Sequence, residues 1–223
     1  MLLPHGIYAI VTDAAGSRAE GRAARPPLDL VSAFVEGGAA VVQLRLKNAG
    51  AGELLRVARE ARKICAGRAV LLVNDRPDVA RLAEADGVHL GQDDLPLGEA
   101  RKLLGPRALI GVSTHSDAEI AAAREADYIG FGPIFATRSK PGAPLPPPHG
   151  IEGLARAVRL SGVPVVAIGG ITAGNVAEVA ATGARCAAAI AELCAAPDPA
   201  QAVRAMGSAW QSGAGKAAAR PEP

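Results

Sequence analysis

An amide and two cations alternate with leucines in the segment 43–47, at Gln43, Arg45 and Lys47. Residues two positions apart lie on the same face of a β-strand, so these three side chains point the same way if the segment is extended. Two valines precede them, which indicates a buried strand rather than a solvated edge. One strand face therefore presents an amide and two positive charges, a set suited to phosphate oxygens.

Carboxylates close the next two apolar runs of the chain. Asp75 ends one run, and Asp93 and Asp94 end the other. Carboxylates at the ends of neighbouring parallel strands face one another and repel unless a cation lies between them. Oxygen ligands with room for water and phosphate favour Mg²⁺. Because Asp93 and Asp94 are adjacent, we expect only one of them to be a ligand. Helix N-capping is the alternative role for these residues.

Two histidines lie near the same predicted strand ends. Ser113, Thr114 and His115 close the fifth apolar run. His115 is a candidate general base or phosphate donor, and a loop-packing role is its alternative. His89 lies within the fourth run, where we expect a core histidine whose hydrogen bonds are satisfied.

Two later segments carry groups suited to anions. The long loop at 136–150 contains two hydroxyls and an ammonium, namely Thr137, Ser139 and Lys140. Such groups suit phosphate oxygens and a closing lid. The pair Gly169–Gly170 ends the seventh run before a predicted helix, where backbone N–H groups and the helix N-terminus favour an anion.

These groups together predict two phosphorylated ligands, one of them a metal-bound diphosphate. The sequence contains no Ser–His–Asp or Cys–His arrangement that would supply a nucleophile. The predicted chemistry is therefore departure of diphosphate and attack by a second substrate.

Eight apolar runs, which alternate with amphipathic stretches, must position these residues. The runs are 6–13, 39–47, 68–75, 87–94, 107–115, 127–135, 163–171 and 186–193. The predicted helices lie near 28–37, 52–67, 77–85, 97–104, 117–126, 151–161, 174–183 and 199–211. Eight strand–helix units in about 210 residues predict a parallel (β/α)₈ TIM barrel. A doubly wound open sheet is the alternative, but the GxGxxG typical of it is missing after the first run.

Composition limits the class of protein. The 223 residues are 49% hydrophobic and 21% charged with a net charge of +2, which argues against a disordered chain and a nucleic-acid partner. Three cysteines without a CxxC pair indicate a reducing cytoplasm rather than a disulfide scaffold or zinc ribbon. No signal peptide or membrane span is evident. We expect one domain over 1–211 and a disordered tail at 212–223.

The chain resembles the thiamine phosphate synthase family from about residue 6 to 210. The motifs that carry the resemblance are QLRLK (43–47), VNDRPDVA (73–80), GVHLGQDD (87–94), GVSTH (111–115), GFGPIFATRSKPGAP (130–144) and VPVVAIGGIT (163–172). It implies a TIM barrel that joins 4-amino-2-methyl-5-hydroxymethylpyrimidine diphosphate to thiazole phosphate. The implied mechanism is dissociative: diphosphate leaves, the pyrimidine ring stabilises the methylene cation, and the thiazole nitrogen attacks.

The resemblance also implies roles for individual residues. It places the pyrimidine diphosphate against Gln43, Arg45, Lys47, Asn74, Ser113 and Lys140. Arg45, Ser113 and Lys140 are the catalytic candidates among them. Asp75 and Asp94 would bind Mg²⁺. The thiazole phosphate would meet Thr137, Ser139, Gly170 and the backbone of Ile190 and Ala191. The implied partners are these two small substrates, and the resemblance is compatible with a homo-oligomer.

The segment GARCAAAIAEL at 183–193, which contains the eighth run, departs from the family pattern. Arg185 replaces an acidic residue and Ala191 stands where the family has serine. Both changes bear on the affinity for the second substrate.

Two further readings remain. A thiazole tautomerase of the same fold would use His115 without a metal, although the pair Asp75 and Asp94 favours the synthase. A ligand-binding barrel without catalysis is the other.

Overall fold

Parallel strands form a closed barrel in the computed structural model, which describes residues 1–13, 25–137 and 147–218, the last three by backbone only. The strands are β1 (Gly6–Thr12), β2 (Val41–Arg45), β3 (Val70–Asn74), β4 (Gly87–Leu90), β5 (Leu109–Thr114), β6 (Tyr128–Phe131), β7 (Val165–Ile168) and β8 (Cys186–Ala189). They pair in chain order, and β1 closes the barrel by pairing with both β2 and β8. The predicted (β/α)₈ barrel is confirmed, and the open sheet is excluded.

Helices cover the outside of the barrel. They are α1 (Pro27–Glu36), α2 (Ala51–Cys65), α3 (Pro77–Leu82), α4 (Leu97–Leu104), α5 (Asp117–Ala122), α6 (Gly150–Leu160), α7 (Val176–Ala180), α8 (Ala191–Cys194) and α9 (Pro199–Ala218). In α2, residues Leu54, Val57, Ala58 and Ala61 are buried, as their helical spacing predicts. Among the described residues, no helix has the length and hydrophobicity needed to cross a bilayer.

The apolar run at 186–193 forms two elements instead of one strand. It divides at Ile190 into β8 and the short helix α8. Alanine is the strongest helix former, and it occupies the first position of α8. The strand therefore ends at Ala189, and the chain continues as helix from Ala191.

The last helix joins the two ends of the described chain. It continues to Ala218, beyond the predicted domain boundary at 211, and residues 219–223 lie outside the described part. A Cβ atom on Gly213 would overlap the carbonyl of Ala177, so α9 lies directly against α7. The Trp210 indole, 2% exposed, donates to Nδ1 of His5 at 3.1 Å. This packing accounts for helical structure past residue 211.

Two aspartates stabilise the amino-terminal end of the barrel. The Asp86 carboxylate accepts the N–H of Leu71 at 2.8 Å, and Asp127 accepts that of Ile110 at 2.7 Å. Arg101 forms an ion pair with Asp127. Polar groups at this end of a TIM barrel serve stability, whereas chemistry takes place at the opposite end.

All three cysteines are buried and free. Burial raises the pKa of the Cys65 and Cys194 thiols to about 11 and that of Cys186 to about 12. They are therefore thiols rather than reactive thiolates at neutral pH. The structure supports their interpretation as small core residues.

Gly111 provides the space for a tyrosine inside the barrel. It lies opposite Tyr128 in the register of β5 and β6, and a Cβ atom at 111 would overlap the Tyr128 ring. We expect Gly111→Ala to lower the free energy of unfolding by about 2 kcal/mol, because overpacking a full core forces side chains from their rotamers. Thermal denaturation measures the change. The control is Gly52→Ala, where the added methyl group meets no atom within 4 Å. An unchanged melting temperature for Gly111→Ala would contradict this prediction.

Candidate active site

A cavity of about 580 Å³ opens at the carboxyl ends of the barrel strands. Eight residues predicted to bind substrate line it: Gln43, Arg45, Asn74, Ser113, Thr137, Gly170, Ile190 and Ala191. Lys47 and Asp75 follow lining residues of β2 and β3, and Asp94 adjoins Asp75. Ser139 and Lys140 lie outside the described residues. The structure thus brings eight of the predicted residues into one cavity, whereas Lys47 lies in the turn after β2 and not, as predicted, on the strand face of Gln43 and Arg45.

Gln43 presents an unsatisfied amide to the cavity. Its side chain is 2% exposed, and its Nε2 atom has no hydrogen-bond partner among the described residues. Its neighbours in the register are Ile10 and Leu72, whose apolar side chains cannot accept a hydrogen bond. A buried donor without a partner is costly, so the position favours a ligand that supplies an acceptor.

The carboxylates of Asp75 and Asp94 come together beside Lys47. The Lys47 ammonium lies 3.1 Å from an Asp75 oxygen, and Asp94 accepts the Gly91 N–H at 2.6 Å. Partial burial raises the pKa of Asp94 above its ordinary value, and the nearby Asp75 carboxyl raises it further, while the Gly91 N–H and Lys47 oppose both effects. The two carboxylates therefore repel each other, as predicted from the strand ends.

The alternative that these aspartates cap helices is wrong. The N-cap positions of α3 and α4 are Arg76 and Pro96, and no side chain caps either helix. Asp75 adopts φ of +63°, a left-handed conformation, and its N–H donates to the carbonyl of His89 at 2.9 Å. A short polar residue tolerates this conformation, which sets Asp75 apart from the regular path of β3 into α3.

His89 lies at the floor of the cavity with both ring nitrogens hydrogen-bonded. Nδ1 is 3.0 Å from the hydroxyl of Tyr128, and Nε2 is 2.9 Å from that of Ser113. The Tyr128 hydroxyl is 3.0 Å from that of Tyr8. The histidine is satisfied, as predicted, but it also lines the cavity. Sequence reasoning missed both tyrosines; their signal is that the chain has only these two, each on a predicted strand.

His115 also lines the cavity, but it interacts with Glu119. Its Nδ1 lies 3.3 Å from a carboxylate oxygen of Glu119, and its backbone N–H donates to the same oxygen. Ser116 caps α5 beside it. These contacts support a packing role for His115 over that of a free acid or base.

The opposite side of the cavity is formed by the backbone after β7 and β8. Gly170 has φ of +65°, and a Cβ there would lie 2.6 Å from the Ala136 carbonyl, so the site requires glycine. Ile190 and Ala191 begin α8, and the first N–H groups of a helix have no partner within it. Glu192 accepts the N–H of Ala173 at 3.1 Å. Gly170, Ile190 and Ala191 therefore form this side of the cavity.

Of the two departures in the segment 183–193, only Ala191 lies in the cavity. Arg185 precedes β8 at the amino-terminal end of the barrel, where its Nε donates to the Leu3 carbonyl at 2.8 Å. Its backbone N–H donates to Val165 at the start of β7. The expectation that Arg185 affects the second substrate is wrong, because the full height of the barrel separates it from the cavity.

The closed barrel, with a cavity at the carboxyl ends of its strands where such barrels carry their active sites, defines a (β/α)₈-barrel enzyme whose candidate active site is this cavity. The model of the thiamine monophosphate synthase family matches residues 7–193. The chain belongs to this family.

Individual relatives agree with this assignment. The chain is 48% identical to the thiamine-phosphate synthase of Anaeromyxobacter dehalogenans over 198 residues, which cover 87% of this chain and 88% of the relative. It is 45% identical to that of Chloroflexus aurantiacus, covering 88% and 89%. Its structure matches thiamine phosphate pyrophosphorylase from Pyrococcus furiosus with a TM-score of 0.80, 33% identity and coverage of 93% and 96%.

Proposed function

We propose that this chain joins 4-amino-2-methyl-5-hydroxymethylpyrimidine diphosphate to thiazole phosphate, giving thiamine phosphate and diphosphate. One observation carries the proposal: each of the six motifs contributes at least one residue to the same cavity. These motifs lie on different strands around the barrel. Because they meet in one cavity, we propose that they bind the same two substrates. Membership of the family and its named relatives support the same activity.

The diphosphate is proposed to bind at the ends of β2, β3 and β4. Arg45 and Lys47 supply positive charge, and Asp75 and Asp94 would hold Mg²⁺. The donor set fits this ion, because two mutually repelling carboxylates beside a cavity gain from a divalent cation, and Mg²⁺ commonly takes one or two carboxylates plus substrate phosphate oxygens. When bound, the ion neutralises charge on the departing diphosphate.

The pyrimidine is proposed to lie deeper, against Gln43, Asn74 and Ser113. The unsatisfied Nε2 of Gln43 would donate to a ring nitrogen, which cannot reach water once the ring is buried. The backbone carbonyl of Ser113 accepts a hydrogen bond from Gln92 at 2.5 Å. The Ser113 hydroxyl lies 2.9 Å from Nε2 of His89, and we propose that it also contacts the ligand.

The reaction then requires positioning more than a protein nucleophile. The bond between the pyrimidine methylene carbon and the diphosphate oxygen breaks, and its electron pair leaves with diphosphate. The thiazole nitrogen donates its lone pair to the same carbon, so the new C–N bond balances the one lost. The chain contributes oriented charges and the exclusion of water. The buried cysteines, with their raised pKa values, supply no competing nucleophile.

The thiazole phosphate is proposed to bind the backbone at Gly170, Ile190 and Ala191. Thr137 and Ser139 would contact the same substrate and Lys140 the pyrimidine diphosphate, as the resemblance implies; Ser139 and Lys140 lie outside the described residues. Ala191 lacks a side-chain donor at the first position of α8. The proposed phosphate site therefore relies on the backbone alone at this point.

Restoring that donor tests the thiazole end. We expect Ala191→Ser to lower the KM for thiazole phosphate by about tenfold, near the lower end of the value of one hydrogen bond to a charged group. The KM for the pyrimidine diphosphate should not change. Arg185→Ala is the control, since its contact with Leu3 lies at the far end of the barrel. Equal KM values for Ala191→Ser and the unmodified enzyme would contradict this placement.

A coupled assay tests the proposed function itself. The purified chain is supplied with both substrates, with Mg²⁺ or with EDTA, and thiamine phosphate and diphosphate are measured together. We expect equimolar products that depend on the ion. Metal-independent conversion of a thiazole carboxylate phosphate, lost in His115→Asn, would instead establish the tautomerase. Binding of either substrate without turnover would identify a barrel that lacks catalysis.

The remaining proposals concern the cellular compartment, the partners and the oligomeric state. Free Cys65, Cys186 and Cys194 support a reducing compartment, which we infer to be the cytoplasm. We infer small-molecule partners without nucleic acid, in accord with a net charge of +2. A homo-oligomer is proposed from the family resemblance, and light scattering after gel filtration measures it.

A further inference from the structure

Four side chains form a continuous line of hydrogen bonds at the floor of the cavity, where Tyr8, His89 and Ser113 all line it. The Tyr8 and Tyr128 hydroxyls are 3.0 Å apart, and the Tyr128 hydroxyl is 3.0 Å from Nδ1 of His89. Nε2 of His89 is 2.9 Å from the hydroxyl of Ser113. The residues come from β1, β6, β4 and β5, so only the closed barrel brings them together.

Both tyrosines are neutral phenols in this environment. Tyr8 is 2% exposed and Tyr128 is fully buried. Burial raises the pKa of each well above its usual value, and their mutual contact adds to this effect at Tyr128. Each hydroxyl therefore retains one proton and can donate one hydrogen bond.

Tyr8 is the last of the four side chains, and its hydrogen bonding indicates the direction of donation along the line. Among the described residues, the Tyr8 hydroxyl has one hydrogen-bond partner, Tyr128. An undonated buried proton is costly, so Tyr8 donates to Tyr128. The Tyr128 hydroxyl accepts that bond and donates its own proton to Nδ1 of His89. With Nδ1 as acceptor, the neutral imidazole carries its proton on Nε2, which donates to the oxygen of Ser113.

We propose that Tyr128 holds His89 as the Nε2–H tautomer and so leaves the Ser113 hydroxyl proton free to be donated to the ligand. Tyr128 and His89 are positioning residues, and Ser113 makes the contact. The reverse tautomer would turn the Ser113 proton toward the histidine and leave the ligand facing only a lone pair. That the ligand is the pyrimidine diphosphate rests on the proposed function.

The tautomer can be measured without any assay of activity. The chain has four histidines, so two-dimensional ¹H–¹⁵N spectra of histidine-labelled protein resolve them individually, and His89→Gln assigns the resonance. We expect Nε2 to be protonated and Nδ1 unprotonated in the unmodified protein at neutral pH. A proton on Nδ1 would overturn the proposal.

Two matched Tyr→Phe variants separate the roles within the line. Tyr128→Phe removes the donor to Nδ1, so we expect both tautomers of His89 to be populated. In Tyr8→Phe the Tyr128 proton still has Nδ1 as its acceptor, so the Nε2–H tautomer should persist. Ser113→Ala should also retain it, because Nδ1 keeps its donor. A single unchanged tautomer in Tyr128→Phe, or a switched one in Ser113→Ala, would overturn the assignment.

Kinetics then connect the tautomer to the reaction. We expect Tyr128→Phe to lower kcat/KM for the pyrimidine diphosphate by about fivefold to tenfold, with the KM for thiazole phosphate unchanged. Tyr8→Phe should remain within about twofold. Equal losses for both substrates would indicate a merely structural effect and contradict the proposal. An inactive unmodified enzyme with the Nε2–H tautomer would overturn the proposed function alone.

Discussion

Asp75→Asn and Asp94→Asn are each expected to reduce Mg²⁺-dependent turnover by about a thousandfold. Asparagine preserves the size of the side chain but removes the negative charge that would hold the cation against diphosphate. The structure supports this prediction because the two carboxylates adjoin each other and neither caps a helix. Initial rates across a Mg²⁺ titration measure the loss, which higher Mg²⁺ should recover only in part.

The matched control for these variants is the neighbouring Asp93. Its side chain is exposed, whereas Asp94 is partly buried and accepts the Gly91 N–H. Asp93→Asn should keep activity within about twofold, because an exposed carboxylate away from the ion contributes little. Undiminished turnover in both Asp75→Asn and Asp94→Asn would exclude this pair as the metal site.

Arg45→Ala is expected to lower kcat/KM by about a hundredfold to a thousandfold. Arg45 ends β2 and lines the cavity two residues after the buried Gln43, so its charge is directed to the proposed diphosphate. Charge on that group increases as the C–O bond breaks, so kcat should fall more than KM rises. Arg45→Lys should recover part of the rate, because it keeps the charge but loses the planar two-point contact.

Arg81→Ala serves as the control for Arg45. Arg81 is exposed in the last turn of α3, away from the carboxyl ends of the strands. Removing it changes the net charge of the protein by the same amount as Arg45→Ala. Equal losses in the two variants would attribute the effect to the overall field of the protein and contradict a local role for Arg45.

Local periodicity was sufficient to predict much of this site. The spacing of two between Gln43 and Arg45 placed both on the inner face of β2, and both line the cavity. Asn74 and Ser113 were located because parallel strands end at one rim of a closed barrel. The glycine pair was located because a helix was predicted to follow it. Each inference depends on chain-local geometry combined with one global fact, the barrel.

Contacts between distant strands could not be predicted in the same way. Tyr8 and Tyr128 are 120 positions apart, and only the register of the strands determines that their hydroxyls meet. The inward orientation of His89 at the cavity floor depends on the register of β4 with β3 and β5. Arg185 was linked to the second substrate because it belongs to the departing segment 183–193, but it precedes β8 and so lies at the amino-terminal end of the barrel.

The hydrogen bond between Trp210 and His5 gives the barrel an internal optical probe. Trp210 is the single tryptophan of the chain, and it belongs to α9, while His5 directly precedes the first strand. Separation of the two chain ends would transfer the indole from a position 2% exposed to water. Its fluorescence therefore follows the docking of α9 against the start of β1, a contact between residues about 205 positions apart whose closure carries a large entropic cost.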